Sequence, residues 1–229
     1  MAKDKRSKAP GPAPPTAAPA ARPDWPAFKP SLPVVELTPE SLVQDKIVVL
    51  RSFFPRSLCR DYVSFLRELP LITTPGKPKR GEAVRVNDRY QIDDPLFANR
   101  LWTETGLKDA ILSKDVAHLC PGQFFDAHFR APDDDSNNVT VKTETGAQLP
   151  ATTTWTLLLY LTSSADGCLG GETVFYPHDR RSAKEEIAVS LETGMLLLHK
   201  HGHDCMLHEG REVRAGEKWV IRTDLCVKR

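Results

Sequence analysis

Two residues ten positions apart, His208 and Lys218, carry the strongest chemical signal in this 229-residue chain. His208 sits on a His-Glu-Gly corner, and Lys218 opens the apolar run Trp219-Val220-Ile221. An imidazole suits a transition metal, and a primary ammonium suits a carboxylate. Two strands joined by a short turn could aim both groups into one cavity, because residues of a strand alternate faces. A lysine facing a cavity from such an apolar strand would need an anionic partner. Upstream, His128 follows Phe124-Phe125-Asp126-Ala127, with Arg130 two residues later and the run Asp133-Asp134-Asp135 just beyond. A guanidinium stays protonated and is no metal ligand. His199, His201 and His203 alternate just ahead of His208. Three imidazoles on one face could bind a metal, but two of these fall on a loop, so we read the triplet as a decoy.

These side chains must be carried by something, and the hydrophobic pattern indicates mostly strands. Lys46–Leu50 is a β-branched run and reads as a strand. After Pro55, Leu58, Tyr62, Phe65, Leu66 and Leu69 fall on one helical face, and Pro70 stops that helix. Thr73 to Gly81 is Pro-, Gly- and Lys-rich, hence a loop. A second helix is signalled by Asp94 as N-cap, Pro95 in the first turn and Gly106 at the close. From Lys114 onward the signals are strands: Asp115–Leu119, Phe124–His128, Thr152–Leu161, Thr173–Tyr176, Ile187–Leu191, Met195–His199 and Lys218–Leu225. That count, with Gly- and Asp-bearing turns between, predicts a mainly β domain with flanking helices, a double-stranded β-helix or jelly roll. The domain should span residues 34–229. Residues 1–33, rich in Pro and Ala, should be a disordered tail, since they cannot bury enough apolar surface to offset their chain entropy.

Taken together, Gly122-Gln123-Phe124-Phe125-Asp126-Ala127-His128, Gly170-Gly171-Glu172-Thr173 and His208-Glu209-Gly210 with Lys218 resemble the prolyl-4-hydroxylase type of iron(II)- and 2-oxoglutarate-dependent oxygenase. The resemblance runs from about Val35 to Leu225. It implies Fe(II) bound by His128, His208 and a carboxylate, 2-oxoglutarate held through its far carboxylate by Lys218, and ascorbate as a further candidate cofactor. Thr156 and Arg222 are the other co-substrate contacts it suggests, and Asn87 and Arg89 could line the substrate mouth. The chain departs from the family pattern twice. Where the family reads His-x-Asp, Arg130 stands in the second position; on an alignment that treats Arg130-Ala131-Pro132 as part of an insertion, Asp134 takes the ligand place. Pro132 would end the strand, and a short loop could return an aspartate to His128 at a closure cost of a few kcal/mol. Asp133 and Asp135 compete for the same role, and a solvated acidic loop is the alternative to all three. Leu119 replaces a family tyrosine that touches 2-oxoglutarate, which shifts more of the binding onto Lys218 and Thr156.

Charge is balanced, 31 basic against 30 acidic residues, without the footprint of a nucleic-acid binder. No run reaches the length of a membrane span, and the N-terminus lacks the apolar core of a secretory signal. Five scattered cysteines without Cys-x-x-Cys spacing favour a reducing compartment. The expectation is a cytoplasmic protein, with Lys3, Lys5, Arg6 and Lys8 leaving nuclear import open. Two functions compete: an oxygenase acting on a prolyl peptide or a small molecule with release of succinate and CO2, or a catalytically impaired jelly-roll scaffold marked by Arg130. A nucleic-acid demethylase on the same scaffold is disfavoured by the balanced charge and by a lysine where such enzymes use arginine. Oligomeric state is not legible.

Overall fold

The structure is a computed structural model and describes residues 22–74, 86–112, 138–143, 145–178, 184–202 and 205–229. His128, Arg130, Asp133, Asp134, Asp135 and the strands expected at Asp115–Leu119 and Phe124–His128 lie outside the described residues.

The longest strand, β6 (Gln148–Tyr160), organises the fold. Its Thr-Thr-Thr-Trp-Thr-Leu-Leu-Leu-Tyr run is rich in β-branched, aliphatic and aromatic side chains and is buried on both faces, as a central strand must be. On one side it pairs antiparallel with β10 (Leu196–Lys200), which pairs in turn with β2 (Ile47–Leu50) and then β1 (Pro39–Val43). On the other side lies β13 (Val220–Lys228), while β5 (Asn138–Lys142) pairs with the first residues of β6, Gln148–Thr152. These six strands form the major sheet. A minor sheet has the order β11 (Leu207–Gly210), β8 (Thr173–Tyr176), β9 (Ile187–Val189). Two two-stranded ladders complete the set: β7 (Leu169–Gly170) with β12 (Val213–Ala215), and β3 (Ile72–Thr73) with β4 (Asp88–Arg89). The expected class holds: mainly β, antiparallel, jelly-roll-like, with helices outside.

Alternation along β6 sorts its side chains. Trp155, Leu157 and Leu159 join a cluster with Leu196, Leu198 and Leu225 under α1 (Arg56–Arg67), α2 (Pro95–Thr103) and α3 (Leu107–Leu112). Leu158 and Tyr160 face the other way, against Ile47, Val49, Leu197 and the minor-sheet residues Phe175 and Val189. Asp94 caps α2 as expected, accepting from the Phe97 amide at 3.0 Å with Pro95 at the first turn. Gly106 does not end α2 directly. It sits in the left-handed region (φ +78°) between α2 and the unanticipated α3.

The tail boundary needs correction. Residues 22–33, assigned to a disordered segment, pack onto the helices: Trp25 stacks on Phe97 at 4.4 Å and donates to Asp94 Oδ2 at 2.7 Å. Tyr62 donates its hydroxyl to the Pro26 carbonyl at 3.0 Å, and Phe28 and Leu32 lie against the same cluster. Average composition concealed the three large apolar residues that dock this segment. Among the described residues, no helix is long and apolar enough to cross a membrane.

Candidate functional site

Register places the polar residues of the inner face in a row. His199 of β10 lies opposite Thr156 of β6, which lies opposite Asp224 of β13. All three are buried, on the face that looks toward the minor sheet. Thr156 donates its hydroxyl to Asp224 Oδ1 at 2.9 Å and stands 3.4 Å from His201 Nδ1. Arg222, two residues before Asp224 on the same face of β13, is 4.0 Å from that carboxylate, with a side chain 45% exposed. His199 is held neutral: burial first, then the neighbouring His208, push its pKa down to about 3.

His208 faces this row from β11. Its ring centroid is 4.7 Å from that of His199 and 5.6 Å from that of Phe175, its partner on β8. His208 Nδ1 is 2.9 Å from the Met206 carbonyl, and His199 Nδ1 is 3.2 Å from the Lys200 carbonyl. A carbonyl can only accept, so in each ring Nδ1 carries a proton and donates it. A metal-binding histidine is oriented in this way by a partner behind it. His208 therefore suits a metal ligand in tautomer and in access, being itself exposed.

Lys218 occupies the other end of the inter-sheet space. The expectation that it opens a strand is corrected: β13 begins at Val220, and Lys218 lies on the connection before it. There the Thr162 side chain replaces ladder bonds, accepting from the Trp219 amide at 2.9 Å and donating to the Glu217 carbonyl at 2.8 Å. The ammonium still turns inward. It donates to the Gly171 carbonyl at 2.6 Å and lies 5.6 Å from the Tyr160 ring centroid. Burial lowers its pKa, and among the described residues it forms no ion pair. One glycine, Gly171, makes room for it, while Gly210 borders it at ordinary contact distance. A Cβ on Gly171 (φ +77°) would meet Lys218 Cδ at 3.1 Å, and one on Gly210 would lie 3.9 Å from Nζ. Gly171 of the Gly-Gly-Glu-Thr turn is thus a steric condition for seating the lysine as well as a turn residue. Beside it, the Tyr160 and Thr173 hydroxyls share a 2.6 Å hydrogen bond, and burial pushes the Tyr160 pKa up to about 12, keeping it a phenol.

Of the residues singled out in the sequence, His208, Lys218, Thr156 and Arg222 belong to this inter-sheet region. Asn87 and Arg89 lie on the β3–β4 ladder, where Asn87 accepts from the Thr74 hydroxyl through Oδ1 at 2.9 Å and both residues are exposed. The histidine triplet does not act as a unit: His199 pairs with His208, His201 lies by Thr156, and His203 is outside the described residues. Sequence reasoning missed Cys205, which completes a group with His199 and His208. It also missed Tyr160, although Tyr160 and Thr156 share strand parity, the signal that could have linked them.

No protein-family model and no curated protein matches the chain. Among solved structures, it is similar to the viral collagen prolyl hydroxylase of Paramecium Bursaria Chlorella virus-1 in its 2OG complex, at 14% identity and a TM-score of 0.45. The match covers 80% of this chain and 96% of that one.

Proposed function

We propose that the chain is an Fe(II)- and 2-oxoglutarate-dependent dioxygenase that hydroxylates a peptidyl or small-molecule substrate and releases succinate and CO2. The observation that carries this reading is the convergence of His208 and Lys218. His208 and Gly210 are two apart on β11 and so share a face, and the Lys218 ammonium lies against Gly210. Two strand residues span roughly 7 Å, a length that suits a five-carbon dicarboxylate with one carboxylate at Lys218 and its 2-oxo acid end near His208.

In this reading His208 holds iron with His128 and a carboxylate, Asp134 being our choice. The metal supplies the oxygen chemistry when bound. The protein's part is positioning. Lys218, with its single main-chain acceptor, has donors left for the far carboxylate, and the Tyr160–Thr173 hydroxyl pair stands beside it. The Met206 carbonyl fixes the His208 ring. Thr156, held by Asp224, and Arg222 form the polar wall at the metal end. Ascorbate would act as an auxiliary reductant, and Asn87 and Arg89 would sit at the substrate mouth. We place the protein in the cytoplasm.

Anaerobic iron loading followed by an oxygen-started assay tests this. The expected result is one iron per chain and succinate formed from 2-oxoglutarate, both lost in His208→Ala. Absence of both iron binding and succinate in the parent protein would leave the scaffold reading that Arg130 suggests.

A further inference from the structure

We propose that His199, Cys205 and His208 form a second metal site, selective for a thiophilic divalent ion such as Zn2+, which competes with iron for His208. The ligand set rests on geometry alone; only the competition rests on the oxygenase reading.

One donor atom from each of the three side chains lies within 4.8 Å of the other two. Tetrahedral zinc bonds nitrogen at about 2.0–2.1 Å and sulfur at about 2.3 Å, which sets its ligands about 3.3–3.7 Å apart. Closure therefore needs movements of about 1 Å, within reach of small side-chain rotations. The elements converge from two directions. Cys205 and His208 lie three apart where the chain enters β11, with Sγ 3.6 Å from His208 Nδ1. His199 reaches them from the major sheet, its ring tilted 56° to that of His208. His199 Nδ1 is committed to the Lys200 carbonyl, so Nε2 is the atom it offers, whereas His208 turns Nδ1 toward Cys205 Sγ, and a metal there would displace the hydrogen bond to the Met206 carbonyl. Burial is graded, with His199 buried, Cys205 half-buried and His208 exposed, so an ion reaches the group from solvent without opening the core.

The donor set decides the metal. One sulfur and two imidazole nitrogens suit Zn2+ or Co2+, whereas hard oxygen-seeking cations lack partners here. On binding, the Cys205 thiol releases its proton to solvent as the sulfur–metal bond forms, and no oxidation is involved. Three protein ligands leave a fourth tetrahedral position to water. A metal so bound would tie β11 to β10 across the inter-sheet space and withdraw His208 from the iron. Zinc then acts as an inhibitor set by the ratio of the two metals.

The test uses metal-stripped full-length protein titrated with Co2+ alone, followed by absorption, with Zn2+ as competitor. Expected are one Co2+ per chain, a near-ultraviolet thiolate-to-cobalt charge-transfer band, and its loss on adding Zn2+. Cys205→Ser should abolish the band, and His199→Ala should weaken Co2+ binding tenfold or more. His128→Ala should leave band and affinity unchanged. A missing band in the parent protein, a band that survives Cys205→Ser, or one lost in His128→Ala would overturn the assignment. Succinate release with iron and 2-oxoglutarate is read separately: its absence sinks the oxygenase and leaves the cobalt result intact, while a missing band with normal turnover sinks only the zinc site.

Discussion

The two faces of the major sheet are made by the same strands and serve opposite ends. Toward the helices, Trp155, Leu157, Leu159, Leu196, Leu198 and Leu225 form a continuous apolar layer. Toward the minor sheet, the neighbours of those residues mix apolar Leu158 and Leu197 with Thr156, Tyr160, His199 and Asp224, four buried polar side chains. Burying polar groups costs free energy unless they are hydrogen-bonded. Each of these has a partner: Thr156 with Asp224, Tyr160 with Thr173, and His199 with the Lys200 carbonyl. The helix-side face is a wholly apolar layer, and the inner face sets its polar groups among a second apolar cluster.

That division can be broken by substitution. The largest effect should come from Lys218→Ala, which removes the inward cation and should weaken 2-oxoglutarate binding by about 3–5 kcal/mol, the range for disrupting a buried charge pair. Calorimetric titration measures it, and unchanged affinity would remove Lys218 from the site. On the opposite face, Leu157→Ala should cost about 2–5 kcal/mol of stability in denaturant unfolding, while 2-oxoglutarate affinity of the folded protein stays the same. A large loss of affinity there would mean that the faces are not separable.

A smaller effect sharpens the contrast. His199 is neutral in the fold down to about pH 3, whereas the unfolded chain protonates it below its ordinary value of 6.5. The unfolded state thus binds more protons between these limits. The stability from burying neutral imidazole is complete above pH 6.5 and is lost as pH falls, by up to about 1.4 kcal/mol per pH unit. In metal-free protein, His199→Leu should flatten the stability profile between pH 6 and 4. An unchanged slope would place the acid sensitivity elsewhere.

Much of the frame was legible because it follows from local rules. The β-branched and aliphatic run of β6 announced a central strand, and Asp94 with Pro95 announced the start of α2. The thin strands were not legible. β11 reads Leu-His-Glu-Gly and is mostly exposed, so it lacks the apolar alternation of a core strand, and only pairing with Val174 and Phe175 makes it one. The spacing of His208 and Lys218 singled out an imidazole and a cation as candidates, but not the means by which Lys218 faces inward from a non-strand residue. That depends on the Thr162 side-chain bonds and on the space left by Gly171.

The sequence by itself determined the elements with strong local signals and the residue types that could do chemistry, because periodicity, capping and side-chain donors are written in neighbouring positions. Only the tertiary structure decided which distant residues meet. His199, Cys205 and His208 come together because antiparallel register sets β10 across from the minor sheet, and Trp25 docks because α1 and α2 present the aromatic surface that receives it. Such contacts are set by strand order and packing, to which no single stretch of chain holds the key.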